Sequence, residues 1–426
     1  MQRKFPIDLS PSMRRKKRRL PRLRYFLLPV LLIAAAVFFL PGREGGTKSS
    51  KEQAPAHVKQ ALKAQAAAKR QTPPLKIEDI VRIDQNTITS RNLTIDWDLQ
   101  RYIDELAAQY KLYYGSIAVM DARTGSILSL YGYTRSGQDC SLSLNPELAA
   151  SVFKLVTAVA AMEQAGFTGQ SMFFYTGSPH TLYKRQLTNK RDRWCEDISL
   201  ADAFARSNNI VFGKLGSIYL GETPIYLTTK KLGFWKPPLK ELRTLPSTSM
   251  FPKDEYSLAE LACGFNKQTR VSPLHAAEMV TAALNDGNMV VPRLVKSSPV
   301  QKVRAMNAGT ARNLSEMMER TVRKGTVAKS FRNLSSDRVL KNIAIGGKSG
   351  SIDGIEPRGR RNWFVGFARN KVTGEAITIG CLLILDDRFW IEADMLSRLI
   401  IRRYFAQPVI LAPAGREKVR GSGQAG

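Results

Sequence analysis

The stretch Leu148-Ala149-Ala150-Ser151-Val152-Phe153-Lys154-Leu155-Val156 opens an apolar run that predicts a helix over 148–165. In that helix Ser151 and Lys154 lie one turn apart on the same face. A hydroxyl near a helix start meets free main-chain N–H groups and the positive end of the dipole, which favour developing negative charge. Lys154 is surrounded by Val152, Phe153, Leu155 and Val156, and burial among them disfavours the ammonium. A neutral lysine beside a serine hydroxyl is a base beside a nucleophile. Alone the tetrapeptide carries little weight. Ser-x-x-Lys arises by chance about once or twice in a chain of this length, and a lysine in such a helix can also extend its charge to solvent.

Two more signatures follow in order. Ser207-Asn208-Asn209 comes after a segment read as helical, 198–206. Facing the Ser151–Lys154 pair, the Ser207 hydroxyl would relay a proton to a leaving amine and the Asn209 amide would bind a substrate carbonyl. The same residue types also favour turns and caps. Lys348-Ser349-Gly350-Ser351 comes after the apolar run 343–345. On an edge strand Lys348 would supply positive potential, Ser349 would bind a carboxylate, and Gly350 would let a substrate backbone approach. The main-chain N–H of Ser351, paired with that of Ser151, would form an oxyanion hole. Gly347-Lys348-Ser349 also reads as the end of a phosphate loop, but that motif needs glycine where Asn342 stands. The ordered set is the inventory for acyl transfer through a serine ester.

The set resembles the transpeptidase domain of the penicillin-binding proteins, whose motifs are of the Ser-x-x-Lys, Ser-x-Asn and Lys-Thr-Gly types. Further stretches are similar to that family: Thr124-Gly125-Ser126-Ile127-Leu128, residues 160–166, Gly264-Phe265-Asn266 with Val271-Ser272-Pro273-Leu274, and Asn362-Trp363-Phe364-Val365-Gly366-Phe367. The resemblance covers roughly 95–405. It implies the penicillin-recognising serine acyltransferase fold, with Ser151 as nucleophile, Lys154 as base and Ser207 as shuttle. Asn209 would bind the substrate amide, Lys348 and Ser349 its terminal carboxylate, with Gly350 and Ser351 completing the substrate edge. The implied donor is a peptidoglycan stem peptide ending in D-Ala-D-Ala, and β-lactams are implied inhibitors. A D,D-carboxypeptidase, a class-D-like β-lactamase using a carbamate on Lys154, or a β-lactam or muropeptide sensor would use the same residues. Ser349 stands where threonine is usual, and Asn266 where a second glycine is usual. Membrane-bound members usually carry a pedestal or glycosyltransferase domain, for which 41–90 leaves no room, so cell-wall synthesis partners stay unidentified.

The expected architecture is an α/β (α+β) fold. Strands 116–120 and 126–131 form a hairpin through Asp121-Ala122-Arg123-Thr124-Gly125. A mostly helical insertion follows, with helices over 200–220, 257–263, 272–285 and 311–324. Strands 343–346, 362–368 and 376–385 complete an antiparallel five-stranded sheet, and a helix over 389–405 closes it.

The net charge of +29 points to nucleic acid until its placement is considered. Residues 1–24 hold ten Lys or Arg against Asp8 alone, next to the apolar run 25–40. This reads as a basic cytoplasmic tail (1–24) and a single-pass membrane anchor (25–41). A cleaved signal peptide is the rival reading, and no small-x-small cleavage site follows the run. A linker (42–90), an extracytoplasmic or periplasmic catalytic domain (91–410) and a disordered tail (411–426) would follow. No nucleic-acid partner is expected. His57, His180 and His275 are the only histidines, so neither a Ser-His-Asp triad nor a histidine metal site is supported, and no cofactor is expected. Export permits a Cys140–Cys195 disulfide. Cys263 and Cys381 read as core residues, and Arg358-Gly359-Arg360-Arg361 as a solvated loop.

Overall fold

The computed structural model describes residues 92–406, apart from 240, 243, 387 and 388. The basic tail, the apolar run 25–40, the linker and the C-terminal tail lie outside the described residues. No described helix is long and apolar enough to cross a membrane.

One sheet carries the fold. Its strands are β1 (Tyr114–Asp121), β2 (Ile127–Thr134), β3 (Gly137–Gln138), β4 (Ile343–Gly354), β5 (Gly359–Asn370) and β6 (Ala376–Leu385), in the order β4-β5-β6-β1-β2-β3. Every neighbouring pair is antiparallel. All ten residues of β6 are buried, as a strand covered on both faces requires. At the β1–β2 turn the Asp121 carboxylate accepts from the N–H groups of Arg123 (3.0 Å) and Thr124 (2.7 Å). Gly125, at φ +70°, takes the left-handed step that closes this turn. The sheet has six strands where five are expected. The extra one is the two-residue β3, formed because the chain doubles back after Thr134 and pairs Gly137 with it. So short a return leaves no periodic signal.

The helices are α1 (Trp97–Gln109), α2 (Lys154–Ala165), α3 (Leu200–Ala205), α4 (Asn209–Lys214), α5 (Glu222–Lys231), α6 (Glu255–Cys263), α7 (Pro273–Leu284), α8 (Ala308–Lys324) and α9 (Ala393–Ala406). Asp96 caps α1, accepting from the N–H groups of Asp98 and Leu99. Leu99, Ile103 and Leu106, at helical spacing, join Leu396, Ile400 and Ile401 of α9 against one face of the sheet. The other face carries the larger core, to which α2, α3, α4, α6, α7 and α8 contribute. Two expected helices are divided. The 148–165 run begins as a 3₁₀ turn (Ala150–Phe153) before α2, and the 200–220 run breaks at Ser207. Both breaks fall at residues of the candidate site.

Helix α7 starts with Pro273 behind a Ser272 cap whose hydroxyl accepts from the N–H of His275. It lies so close to β6 that a Cβ on Gly380 would sit 2.0 Å from the Pro273 carbonyl oxygen. Gly380→Ala is therefore expected to destabilise by roughly 1–3 kcal/mol, by pushing backbone from backbone, and urea unfolding at constant m-value will read it.

Candidate active site

The Ser151 turn is held from three sides. Ala150, just before it, has φ +48°, a left-handed conformation that costs a non-glycine residue on the order of 1 kcal/mol or more. The N–H of Ala149 donates to the carbonyl of Thr269 (3.0 Å). The indole N–H of Trp363 donates to the carbonyl of Leu148 (2.9 Å). Gly264 follows α6 at φ +73°, and a Cβ there would lie 1.9 Å from the Ala150 carbonyl oxygen. No other residue fits that position. Asn266, the departure from the expected glycine, turns the chain with its side chain. Its Oδ1 accepts from the N–H groups of Gln268 (3.1 Å) and Thr269 (2.9 Å).

Lys154 is fully buried at the start of α2. Its Nζ lies 2.8 Å from Ser151 Oγ, 2.8 Å from Asn209 Oδ1 and 2.6 Å from the carbonyl oxygen of Cys263. Burial pushes its pKa down to about 8, against a smaller upward pull from Cys263. A neutral amine has two N–H donors and one lone pair. Asn209 and Cys263 offer only acceptors, so the lone pair is left for the Ser151 hydroxyl.

Ser207-Asn208-Asn209 divides its labour. Asn208 is the cap: its Oδ1 accepts from the N–H of Val211 (3.0 Å) and starts α4. Ser207, at φ +55°, turns between α3 and α4. Asn209 donates from its main chain to the Pro179 carbonyl (2.7 Å) and from Nδ2 to the His180 carbonyl (2.9 Å).

Lys348 is also fully buried, donating to Ser207 Oγ (3.0 Å) and to the Ser349 carbonyl (2.7 Å). Burial first, and the charge of Lys154 second, hold its pKa well below the ordinary lysine value. The resemblance implies that Lys348 and Ser349 hold a terminal carboxylate; in the structure the buried Lys348 amine is bonded to the Ser207 hydroxyl. The half-buried hydroxyl on that strand belongs to Ser349, and it pairs with Thr326 Oγ1 at 2.5 Å. A Cβ on Gly350 would sit 3.3 Å from the Ser151 main-chain nitrogen, so the β4 edge runs directly against the Ser151 turn. Ser351 follows on that edge with its side chain exposed.

Sequence reasoning missed Thr326. It follows α8 by two residues, and its N–H is tied to the Ala205 carbonyl (3.0 Å), just ahead of Ser207. Gly325, before it, is the signal: a Cβ there would meet that same carbonyl oxygen at 2.2 Å. The solvated-loop reading of Arg358-Gly359-Arg360-Arg361 fails at Arg361, which is buried. Its guanidinium meets buried Glu147 at 3.4 Å and donates to the carbonyls of Glu356 and Pro357 (2.7 Å each). An inward-facing position on β5 makes this arginine a tie between the β4–β5 hairpin and Glu147, in the segment just before Ser151. Cys140 and Cys195 are not bonded to each other. The Cys195 sulfur instead lies 3.2 Å from Thr176 Oγ1. Among the described residues no cluster of His, Cys, Asp or Glu is spaced to hold a metal ion.

Because the unfolded chain holds the Lys154 proton more tightly, the folded state gains stability as pH rises from about 8 towards the ordinary lysine value of 10.5. Below about 8 the full cost of burying that charge is present. Lys154→Met is expected to keep or raise the melting temperature at pH 7 and to flatten that rise, as measured by thermal unfolding across pH.

The geometry can be set beside known proteins. Penicillin-binding protein PbpB of Mycolicibacterium smegmatis is 24% identical over 310 residues, which cover 65% of this chain and 46% of that protein. Stage V sporulation protein D of Bacillus subtilis is 23% identical over 298 residues, covering 63% and 44%. The chain thus spans less than half the length of either relative. Among solved structures, penicillin-binding protein 3 of Mycobacterium tuberculosis complexed with aztreonam has a TM-score of 0.60 at 19% identity, over 74% of this chain and 78% of that one. Penicillin-binding protein A from M. tuberculosis, an imipenem acyl-enzyme complex, has a TM-score of 0.58 at 20% identity, covering 73% and 78%. These two show a common fold. The family described as penicillin binding protein transpeptidase domain matches residues 115–382, more than half of the chain, and the chain belongs to that family.

Proposed function

We propose that this protein is a membrane-anchored D,D-transpeptidase of peptidoglycan, working through an acyl-Ser151 intermediate and acylated by β-lactams. The observation that carries the reading is the buried Lys154 amine, bonded at once to Ser151 Oγ, Asn209 Oδ1 and the Cys263 carbonyl. In this reading Ser151 attacks the carbonyl of the penultimate D-Ala while its proton passes to Lys154. Ser207, 3.0 Å from Lys348, hands a proton to the departing D-Ala amine. The Ser349 and Thr326 hydroxyls receive the terminal carboxylate, Asn209 the substrate amide, and the main-chain N–H groups of Ser151 and Ser351 the developing oxyanion. The amine of a second stem peptide then displaces Ser151. The β-lactam complexes of the M. tuberculosis neighbours support the drug-binding part. The basic block 1–24 ahead of the apolar run 25–40 supports anchoring, with the catalytic domain outside the cytoplasm.

Incubating the full chain with a fluorescent penicillin, beside Ser151→Ala, tests the reading. A stable adduct on the wild type alone is expected, seen by intact mass. An adduct lost within seconds would indicate a β-lactamase, and no adduct on folded protein would overturn the assignment of Ser151.

The rate of that acylation should also rise with pH and level off above about 8, since only the unprotonated Lys154 accepts the Ser151 proton. Lys154→Arg should lose about 10²-fold or more and with it the rising limb. A flat stopped-flow profile for the wild type between pH 6 and 9 would remove Lys154 from the role of base.

A further inference from the structure

Between α8 and β4 the chain passes through residues 323–341, a strip with six exposed cations: Arg323, Lys324, Lys329, Arg332, Arg338 and Lys341. Its one acid, Asp337, is already engaged. It accepts from Arg402 Nε of α9 (3.1 Å) and from the N–H groups of Val339 (2.9 Å) and Leu340 (3.2 Å). Among the described residues none of the six cations lies within ion-pair distance of a carboxylate. Two acids of other elements bear on the strip: Glu319, one turn before Arg323 on α8, and Glu392, which feels the charge of Lys329. Six cations against these two leave four charges in excess.

The strip is an ordered face. Val327, Phe331 and Leu340 are buried in the core beneath it. The Phe331 ring packs on Phe364 of β5, 5.4 Å between centroids. Arg398 of α9 donates to the Ser330 carbonyl (2.9 Å). Two 3₁₀ turns, Leu334–Ser336 and Leu340–Asn342, shape the rest. With apolar side chains turned in and cations turned out, like charges gather on one surface. Such a gathering repels itself and weakens the compact state, and no group inside the fold compensates it.

Both ends of the strip are fixed. At one end the Thr326 hydroxyl pairs with Ser349 at the candidate site. At the other the Asn342 carbonyl accepts from the N–H of Lys371, in the β5–β6 turn (2.9 Å). That turn and the β1–β2 turn stand at the same end of the sheet, where Asp121 lies opposite Ile377. The described chain enters there too: Thr94 Oγ1 donates to the carbonyl of Ile127, the first residue of β2 (2.7 Å). The strip therefore spans β4 from Ile343, at the end where the chain from the apolar run 25–40 arrives, up to Ser349. That is a rise of about 20 Å.

We propose that this strip docks the catalytic domain onto the anionic phospholipid headgroups of the membrane that holds its anchor. The inference rests on the anchored reading given above. Each cation at an anionic lipid surface strengthens binding roughly fivefold, and the attraction acts within about 8 Å at physiological salt. A tether makes the docking intramolecular, at an effective concentration of up to about millimolar. A modest excess of charge is then enough, with no apolar side chain inserted. Docked in this way, β4 lies along the bilayer and the cleft opens beside the lipid surface.

The test uses the full chain in nanodiscs of phosphatidylcholine, with or without phosphatidylglycerol. Its lysines are acetylated and the products read by peptide mass, with Lys190, exposed outside the strip, as control. Lys329 and Lys341 are expected to react about tenfold or more slowly when the anionic lipid is present, and to recover at high salt. They are also expected to recover in the triple variant Arg323→Gln, Arg332→Gln, Arg338→Gln, which should weaken docking roughly a hundredfold. Penicillin should acylate wild type and variant alike, showing that the variant is folded. Equal labelling in the two lipids, or protection that survives the triple variant, would overturn the proposal. Protection by soluble polyglycerol phosphate in neutral discs, without protection by the anionic lipid, would overturn it in favour of a wall polymer. A chain that does not enter the discs would sink the anchored reading and the docking with it. A wild type that penicillin fails to acylate would sink the transpeptidase reading alone, and the lipid comparison would still decide the docking.

Discussion

The site depends on keeping one lysine amine dry. An ammonium excluded from water is costly unless it is fully paired, and the available escape is to lose its proton. Among the described residues the partners of the Lys154 amine are a hydroxyl, an amide oxygen and a main-chain carbonyl, none of them a carboxylate. Neutral acceptors favour the charged form less than a carboxylate would, so burial wins and the pKa falls to about 8. Much of the surrounding architecture serves that outcome. The end of α6 brings the Cys263 carbonyl, the start of α4 brings Asn209, and Gly264 allows the α6 end to close over Ala150. Enlarging Gly264 would push the end of α6 away from Ala150 and so loosen Lys154 from the Ser151 turn without touching either side chain.

Holding these pieces together requires local strain and ties across the sheet. Ala150 and Ser207 both adopt left-handed conformations that ordinary residues avoid, each at the junction where a helix presents a reacting group. Such geometry persists only where the surroundings over-determine it. The ties come from β5: Trp363 reaches the Leu148 carbonyl and Arg361 reaches Glu147, while β4 brings Gly350 against Ser151. The Glu147–Arg361 pair lies almost wholly out of water, where removing one partner costs about 3–5 kcal/mol. Its value is geometric. It ties β5, the sheet neighbour of the strand that carries Lys348, to the segment just ahead of Ser151.

Most of the fold was legible because its signals are local and periodic. The apolar decapeptide of β6 read directly. The three motifs were legible because each pairs a chemical group with a backbone feature that its neighbours announce. What escaped depends on contacts between distant segments. The break of the 200–220 helix at Ser207 is imposed by Asn208 capping α4, a choice that helical propensity alone does not make. Arg361 looked solvated beside Arg358 and Arg360, because alternation along a strand decides which arginine turns inward and the buried Glu147 that receives it is over two hundred residues away. Thr326 carries no signal except a glycine before it. A Cys140–Cys195 bond was plausible by spacing, but the folded chain gives Cys195 other neighbours.

The two buried lysines are coupled, and the coupling has a direction. Lys348 is pushed below its ordinary pKa by burial and by Lys154, so its charge is disfavoured. A carboxylate arriving at Ser349 and Thr326 brings negative charge to the strand that bears Lys348 and favours its protonation. A charged Lys348 in turn disfavours protonation of Lys154, because two positive charges in one dry site repel strongly. Under the proposed function, the substrate carboxylate would thus charge its own clamp and, through that clamp, keep the base unprotonated.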